Sequence, residues 1–112
     1  MSNNPNNVIG WGGGALTNVN NTIQGAGHIG NTQMFLNNQG TINANIGGGG
    51  ANRLILDPIT GTTTNTGTVE ATNGGTLEVQ GSIYANTGGK IQAVGAGSTV
   101  LSISRSRSVV ER

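Results

Sequence analysis

A short polar phrase that carries one main apolar residue recurs four times along the chain. The four copies occupy residues 20–25, 38–44, 65–71 and 86–93. Their apolar residues are Ile23, Ile42, Val69 and Ile91, separated by steps of 19, 27 and 22 residues. In the last three copies an Ala follows two residues later and faces the same side, because side chains alternate along a strand. A repeat of this length, rich in β-branched residues, Asn and Gly, predicts a solenoid of stacked coils.

A second apolar pattern runs in phase with the first and predicts another strand in each coil. The segments 54–56, 77–79 and 100–102 begin 23 residues apart, and residues 59–64 and 83–85 predict a third strand. Three strands per coil predict an all-β fold, a single-stranded parallel β-helix (β-solenoid) of about four to five coils. The narrow core is expected to be a stack of Ile23, Ile42, Val69, Ile91, Leu54, Leu77 and Val100.

One asparagine stands four or five residues before the apolar residue of each copy. These residues are Asn18, Asn38, Asn65 and Asn86. Asn side chains bond to backbone groups at turns, and stacked coils would place the four amides one above another. The sequence therefore predicts a structural Asn ladder, in which each buried group left unpaired would cost about 1–3 kcal/mol.

The composition excludes several classes of protein. Only 8% of the residues are charged and 3% are aromatic, which argues against a globule with a wide core. Disorder is the alternative, but disordered chains are usually strongly charged and rich in Pro, whereas this chain has a net charge of +1 and two prolines. The absence of Cys excludes disulfides and Cys-based metal sites.

The two ends of the chain depart from the repeat. The sequence predicts an N-terminal lead or cap over residues 1–15, the solenoid over 16–103, and a basic tail or terminal strand over 104–112. No signal peptide and no stretch long enough to insert into a membrane is expected. Trp11 is interpreted as a cover for the open end of the first coil or, alternatively, as a sugar contact together with Tyr84.

No catalytic, cofactor-binding or metal-binding residue is predicted. Glycoside hydrolysis needs two carboxyl groups about 5–10 Å apart. Glu70 and Glu78 stand on successive strands with a corner between them, and both are expected to be solvated surface charges. The lone His28 is expected at a corner or on the surface, and the three arginines of the tail are interpreted as solvated, with no nucleic-acid partner.

The repeats resemble those of a known group of bacterial surface proteins. Residues 65–79 read Asn-x-Gly-Thr-Val-x-Ala followed by Asn-Gly-Gly-Thr-Leu-x-Val. This pattern is similar to the repeats of autotransporter passengers and filamentous-haemagglutinin-like adhesins, and the resemblance covers roughly residues 16–103. It implies a right-handed β-helix, an extracellular or cell-surface location, and a structural or adhesive role.

Two functions from different classes are carried forward. The first is a non-catalytic structural or adhesive module that associates with itself, end to end or side by side, as a homo-oligomer or filament. It follows from the two open ends of a solenoid, whose unpaired backbone groups invite pairing. The alternative is a carbohydrate-binding or polysaccharide-cleaving β-helix with a host or matrix glycan as partner, through Trp11 and Tyr84.

Overall fold

The computed structural model describes residues 1, 4, 6–10, 12–30, 34–48, 52–58, 62–80 and 83–103. All regular elements in these ranges are strands, as the alternating pattern predicted. They are β1 (Val8–Ile9), β2 (Gly14–Asn18), β3 (Thr22–Gln24), β4 (Gly27–Ile29), β5 (Met34–Asn38), β6 (Thr41–Ala44), β7 (Leu54–Leu56), β8 (Thr62–Asn65), β9 (Thr68–Ala71), β10 (Thr76–Gln80), β11 (Ile83–Ala85), β12 (Lys90–Ala93) and β13 (Thr99–Ile103).

Every third strand joins the same parallel sheet. Sheet A has the order β1-β4-β7-β10-β13, sheet B the order β2-β5-β8-β11, and sheet C the order β3-β6-β9-β12. The chain thus winds around an axis, which confirms the predicted all-β parallel β-solenoid. The right-handed sense of the coil stays a prediction from the resemblance.

The number of turns is slightly smaller than predicted. From β2 to β11 the chain winds around the axis about three times, against the four to five coils expected from the repeats. The difference arises because a turn is the stretch of chain between two successive strands of one sheet, so the four strands of sheet B span three turns. The first strand, β1, lies within residues 1–15, which were predicted to be a lead or cap.

The register of the sheets aligns the repeated residues. In sheet C, Ile23 pairs with Ile42, Ile42 with Val69, and Val69 with Ile91. In sheet A, Leu54 pairs with Leu77, and Leu77 with Val100. Like residues therefore form continuous columns along the solenoid axis, and the seven residues of the expected core stack belong to two such columns.

Burial along each column depends on its distance from the coil ends. Ile42 and Leu77 are fully buried, whereas Ile23, Ile91 and Val100 are half-buried and pack against the core. A residue in the middle of a column has a coil above and below it, and a terminal residue has a coil on one side only. The fully packed core therefore belongs to the central coils. Its buried members are Ile29, Met34, Leu36, Ile42, Ala44, Leu54, Leu56, Val69, Ala71, Leu77 and Val79.

The corners absorb the unequal lengths of the repeats. Residues 25–26 join β3 to β4, residues 72–75 join β9 to β10, and nine residues, 45–53, join β6 to β7. The long step of 27 residues arises at this one corner. At the tight corner before β9, a Cβ on Gly67 would lie 2.1 Å from the carbonyl oxygen of Gly40, so this close stacking of corners requires glycine.

Candidate functional site: the asparagine ladder and the coil ends

Four asparagine side chains form a ladder at the corner where the strands of sheet B end. Asn18 Nδ2 donates to Asn38 Oδ1 at 2.9 Å, and Asn38 Nδ2 donates to Asn65 Oδ1 at 2.8 Å. Asn65 Nδ2 in turn donates to Asn86 Oδ1 at 2.6 Å. Every bond runs in the same direction, so each amide presents its NH₂ group towards the next coil.

The same amides also bind the backbone where the next strand begins. Asn38 Nδ2 donates to the carbonyl oxygen of Thr68 at 3.1 Å, and Asn65 Nδ2 donates to that of Lys90 at 3.1 Å. These backbone oxygens belong to the coil above, at the first residue of its sheet C strand. Each asparagine thus satisfies its own buried amide and fixes the turn from sheet B to sheet C.

The terminal coils expose apolar side chains. In the described ranges, five large hydrophobic residues are exposed, and four of them lie in the end coils. Val8 and Val19 are in the first coil, 53% and 56% exposed, and Val94 and Leu101 are in the last, 49% and 37% exposed. The fifth, Phe35, is on the outer side of β5. Val8, Val19 and Leu101 face outward from the side of the coil, as Phe35 does. What makes both ends of the solenoid partly apolar is the set of half-buried residues at the column ends, Ile23, Ile91 and Val100.

The structure corrects the expectation that Glu78 is a solvated surface charge. Its side chain is only 4% exposed, and it forms an ion pair with Arg53 of the neighbouring rung. Gln80 Nε2 donates to the other carboxylate oxygen. A charge that leaves water needs such partners, because burial without them is strongly unfavourable. The repeat contains a signal for this pair, since aligning 54–56 with 77–79 places Arg53 and Glu78 on the same face of adjacent strands.

Glu70 is in a different setting from Glu78. It is half-buried on the outer face of sheet C, where Gln92 Nε2 donates to its Oε1 at 3.0 Å. The row along this face contains Gln24, Asn43, Glu70 and Gln92, which pair across successive strands. The row is polar throughout.

His28 lies within β4 rather than at a corner, and it is half-buried. It pairs with Val8 on one side and Ile55 on the other. Its Nδ1 is buried and has no hydrogen-bond partner among the described residues. In the part of the chain that the structure describes, no group of three or more His, Asp or Glu residues could hold a metal ion.

The two residues proposed as sugar contacts cannot be placed together. Trp11 lies outside the described residues, and so does the predicted tail 104–112. Tyr84 belongs to β11, where its backbone pairs with Thr63, but its side chain also lies outside the described part. Over the described ranges, no helix is long and apolar enough to cross a membrane.

Comparisons of this chain with protein-family models, with curated proteins and with solved structures gave no match.

Proposed function

We propose that this chain is a non-catalytic structural β-solenoid module that associates with further copies of itself through its coil ends. The observation that carries the proposal is the apolar character of those ends. Ile23 at one end and Ile91 and Val100 at the other are half-buried hydrophobic residues that pack against the core on one side only. The proposed role is that of a structural or adhesive element of the bacterial surface-protein type, and its extracellular or cell-surface location rests on the resemblance of the repeats.

The half-buried columns support association at the ends rather than at the sides. Ile23 and Ile91 are the terminal members of one apolar column, and another coil placed on either would complete their burial. Burying apolar surface gains roughly 25 cal/mol per Å². An end contact also pairs the backbone groups of the edge strands, which a lateral contact leaves unpaired.

The geometry of an end contact favours linear growth. The two ends of the solenoid are different surfaces, so one end meets the other in a head-to-tail contact. Such a contact does not close unless the rotation brings the chain back to its start, and open contacts grow into filaments. The chain is therefore expected to form rods whose length rises with protein concentration.

The test compares charge substitutions at the ends with one on the side. Ile23→Asp and Ile91→Asp, in chains whose circular dichroism spectrum matches that of the wild type, should shift the chain towards monomer in light scattering and shorten or abolish rods in negative-stain images. Phe35→Asp is the control, since Phe35 is a hydrophobic residue that is 46% exposed on a lateral face. A wild-type chain that stays monomeric at all concentrations would contradict the proposal. A loss of assembly in Phe35→Asp alone would point to side-by-side association.

A further inference from the structure

The two edge strands of sheet A, β1 and β13, occupy equivalent places in the winding of the chain. Each is the sheet A strand of a coil whose next strands belong to sheets B and C. After β1 the chain continues into β2 and β3, and β13 is the last described strand. Over the described residues, sheet A accordingly has five strands, while sheets B and C have four each.

This inequality limits how a second copy can stack. If β1 of the second copy paired with β13 of the first, β2 and β3 of the second copy would lie one rung too far from β11 and β12. Neighbouring strands pair at about 4.8 Å, so at twice that distance β11 and β12 could not bond to β2 and β3 of the second copy. If β13 of the first copy takes the place of β1 in the second, all three sheets continue without a gap.

We infer that association proceeds by strand exchange, in which β13 of one copy displaces β1 of the next copy and pairs with its β4. This inference rests on the proposed end-to-end association and specifies its partner strand. It assigns β1 a second role, as a short strand that covers the outer edge of β4 until another copy arrives.

β1 and β13 differ in length and in the extent of their backbone pairing, and this difference agrees with the exchange. β1 has two residues, and the backbone N–H groups of His28 and Gly30 donate to it, to the carbonyl oxygens of Asn7 and Ile9. β13 has five residues and pairs with β10 along its whole length. A longer strand that is already ordered on one side loses less conformational freedom on pairing than a free segment does.

The exchanged arrangement also continues columns of sheets B and C across the seam, while in sheet A Ser102 takes the place of Ile9. It places Ile91 of one copy on Ile23 of the next, which extends an isoleucine and valine column. It places Asn86 on Asn18, so that the NH₂ group of Asn86 faces Asn18 Oδ1, as Asn65 faces Asn86 within the chain. The ladder polarity permits this contact in one direction only, which agrees with a head-to-tail join.

Crosslinking tests the register, since the chain contains no native cysteine. In sheet A, one column contains Val8, His28, Ile55, Glu78 and Leu101. After exchange, Leu101 of one copy takes the place of Val8 and lies beside His28 of the next, at a separation that suits a disulfide. A mixture of full-length Leu101→Cys and His28→Cys should therefore give a mixed disulfide dimer on oxidation, identified by mass spectrometry of the linked peptides.

The control mixture is Leu101→Cys with Val8→Cys, which crosslinks only if β13 pairs with an undisplaced β1. Crosslinking in this mixture, and not in the first, would overturn the exchange while leaving end-to-end association intact. Assembled rods that crosslink in neither mixture would also overturn it. If neither the wild type nor the variants assemble, the proposed function itself fails, and light scattering on the same samples separates these cases.

A second measurement does not depend on cysteines. Ile9→Asp in the full chain places a charge at a half-buried position and weakens the docking of β1. Exchange predicts that assembly accelerates, by about tenfold, since β1 with a charged residue competes less well for the edge of β4. Val8→Thr, at an exposed neighbouring position, should leave the rate unchanged. Slower assembly of Ile9→Asp, with a circular dichroism spectrum like that of the wild type, would overturn the inference.

Discussion

Asn38 and Asn65 lie in adjacent coils and bind each other, although 27 positions separate them in the chain. Asn38 Nδ2 donates to Asn65 Oδ1 at 2.8 Å, and both residues are only 1% exposed. The bond joins residues that the coil, rather than the local sequence, brings together. It is therefore a sensitive probe of the stacking of coils.

The first prediction concerns this ladder. Asn38→Ala removes the donor to the buried Asn65 Oδ1 and to the carbonyl oxygens of Gly40 and Thr68. Asn18 Nδ2 loses one of its three acceptors. The free energy of unfolding should fall by about 2–5 kcal/mol, because each buried unpaired group costs about 1–3 kcal/mol. Urea denaturation followed by circular dichroism measures the loss.

The neighbouring Asn37 serves as control for the ladder. It lies on the same strand, faces the other side and is half-buried. Asn37→Ala should change the free energy of unfolding by less than about 1 kcal/mol. An equal fall in the free energy of unfolding in the two variants would show that the ladder hydrogen bonds do not stabilise the fold more than the contacts of Asn37 do.

The second prediction compares two isoleucines of one column. Ile42 is fully buried, whereas Ile23 is half-buried in the first coil. Ile42→Ala should lower the free energy of unfolding by about 2–5 kcal/mol, and Ile23→Ala by roughly half as much, because the cost follows the packing lost. Denaturation at low protein concentration, where copies are separate, makes the comparison. A larger loss for Ile23→Ala would contradict the observed gradient of burial.

The third prediction concerns the ion pair on sheet A. Glu78→Ala removes the carboxylate that Arg53 and Gln80 bind. Since the Arg53 side chain is 34% exposed and can reach water, the expected loss is about 1–3 kcal/mol, below that of a fully buried pair. Glu70→Ala, at a half-buried site, should cost less than about 1 kcal/mol.

A double-mutant cycle separates the pair from its surroundings. The variants Arg53→Met, Glu78→Met and both together give the coupling energy between the two side chains. A positive coupling that persists at high salt is expected, because the Glu78 side chain is shielded from water. A coupling near zero would mean that Glu78 is stabilised by Gln80 and packing alone.

The fourth prediction concerns the stacked corners. Gly67→Ala would place a methyl group 2.1 Å from the carbonyl oxygen of Gly40, so the backbone must shift. The free energy of unfolding should fall by about 1–3 kcal/mol or more, as for other overpacked sites. In Gly47→Ala the nearest atom lies at 3.4 Å, and a much smaller effect is expected. A Gly67→Ala variant as stable as the wild type would show that this corner has room to relax.

The repeat predicted the fold because few alternatives satisfy it. An apolar residue such as Ile42, followed by Ala44 and preceded by Gly40, suits a strand after a tight corner, and its recurrence requires stacking. The number of turns was less accessible, because strands at the ends, such as β1, belong to incomplete coils. The burial of Glu78 could not be predicted from alternation, because alternation only shows which face of the sheet a side chain is on. The exposure of Glu78 depends on its contacts with the side chains of Arg53 and Gln80.

The candidate site could be predicted only in part. The four asparagines stand at matching places in the repeat, so their stacking follows from the coil. The different strengths of β1 and β13 do not follow from the repeat, because both segments are short apolar runs in the sequence. Their distinction depends on pairing partners far away in the chain, such as β4 and β10.

The nine-residue corner at 45–53 has a consequence for how this architecture changes in length. Neighbouring coils keep the same register in sheet C although residues 45–53 enlarge one coil. The register of the stack is therefore set by the strands and not by the length of this corner. Insertions there, whether natural or introduced to display a peptide, are expected to protrude sideways without unwinding the coils, so the stack can diversify its surface while its cross-section stays constant.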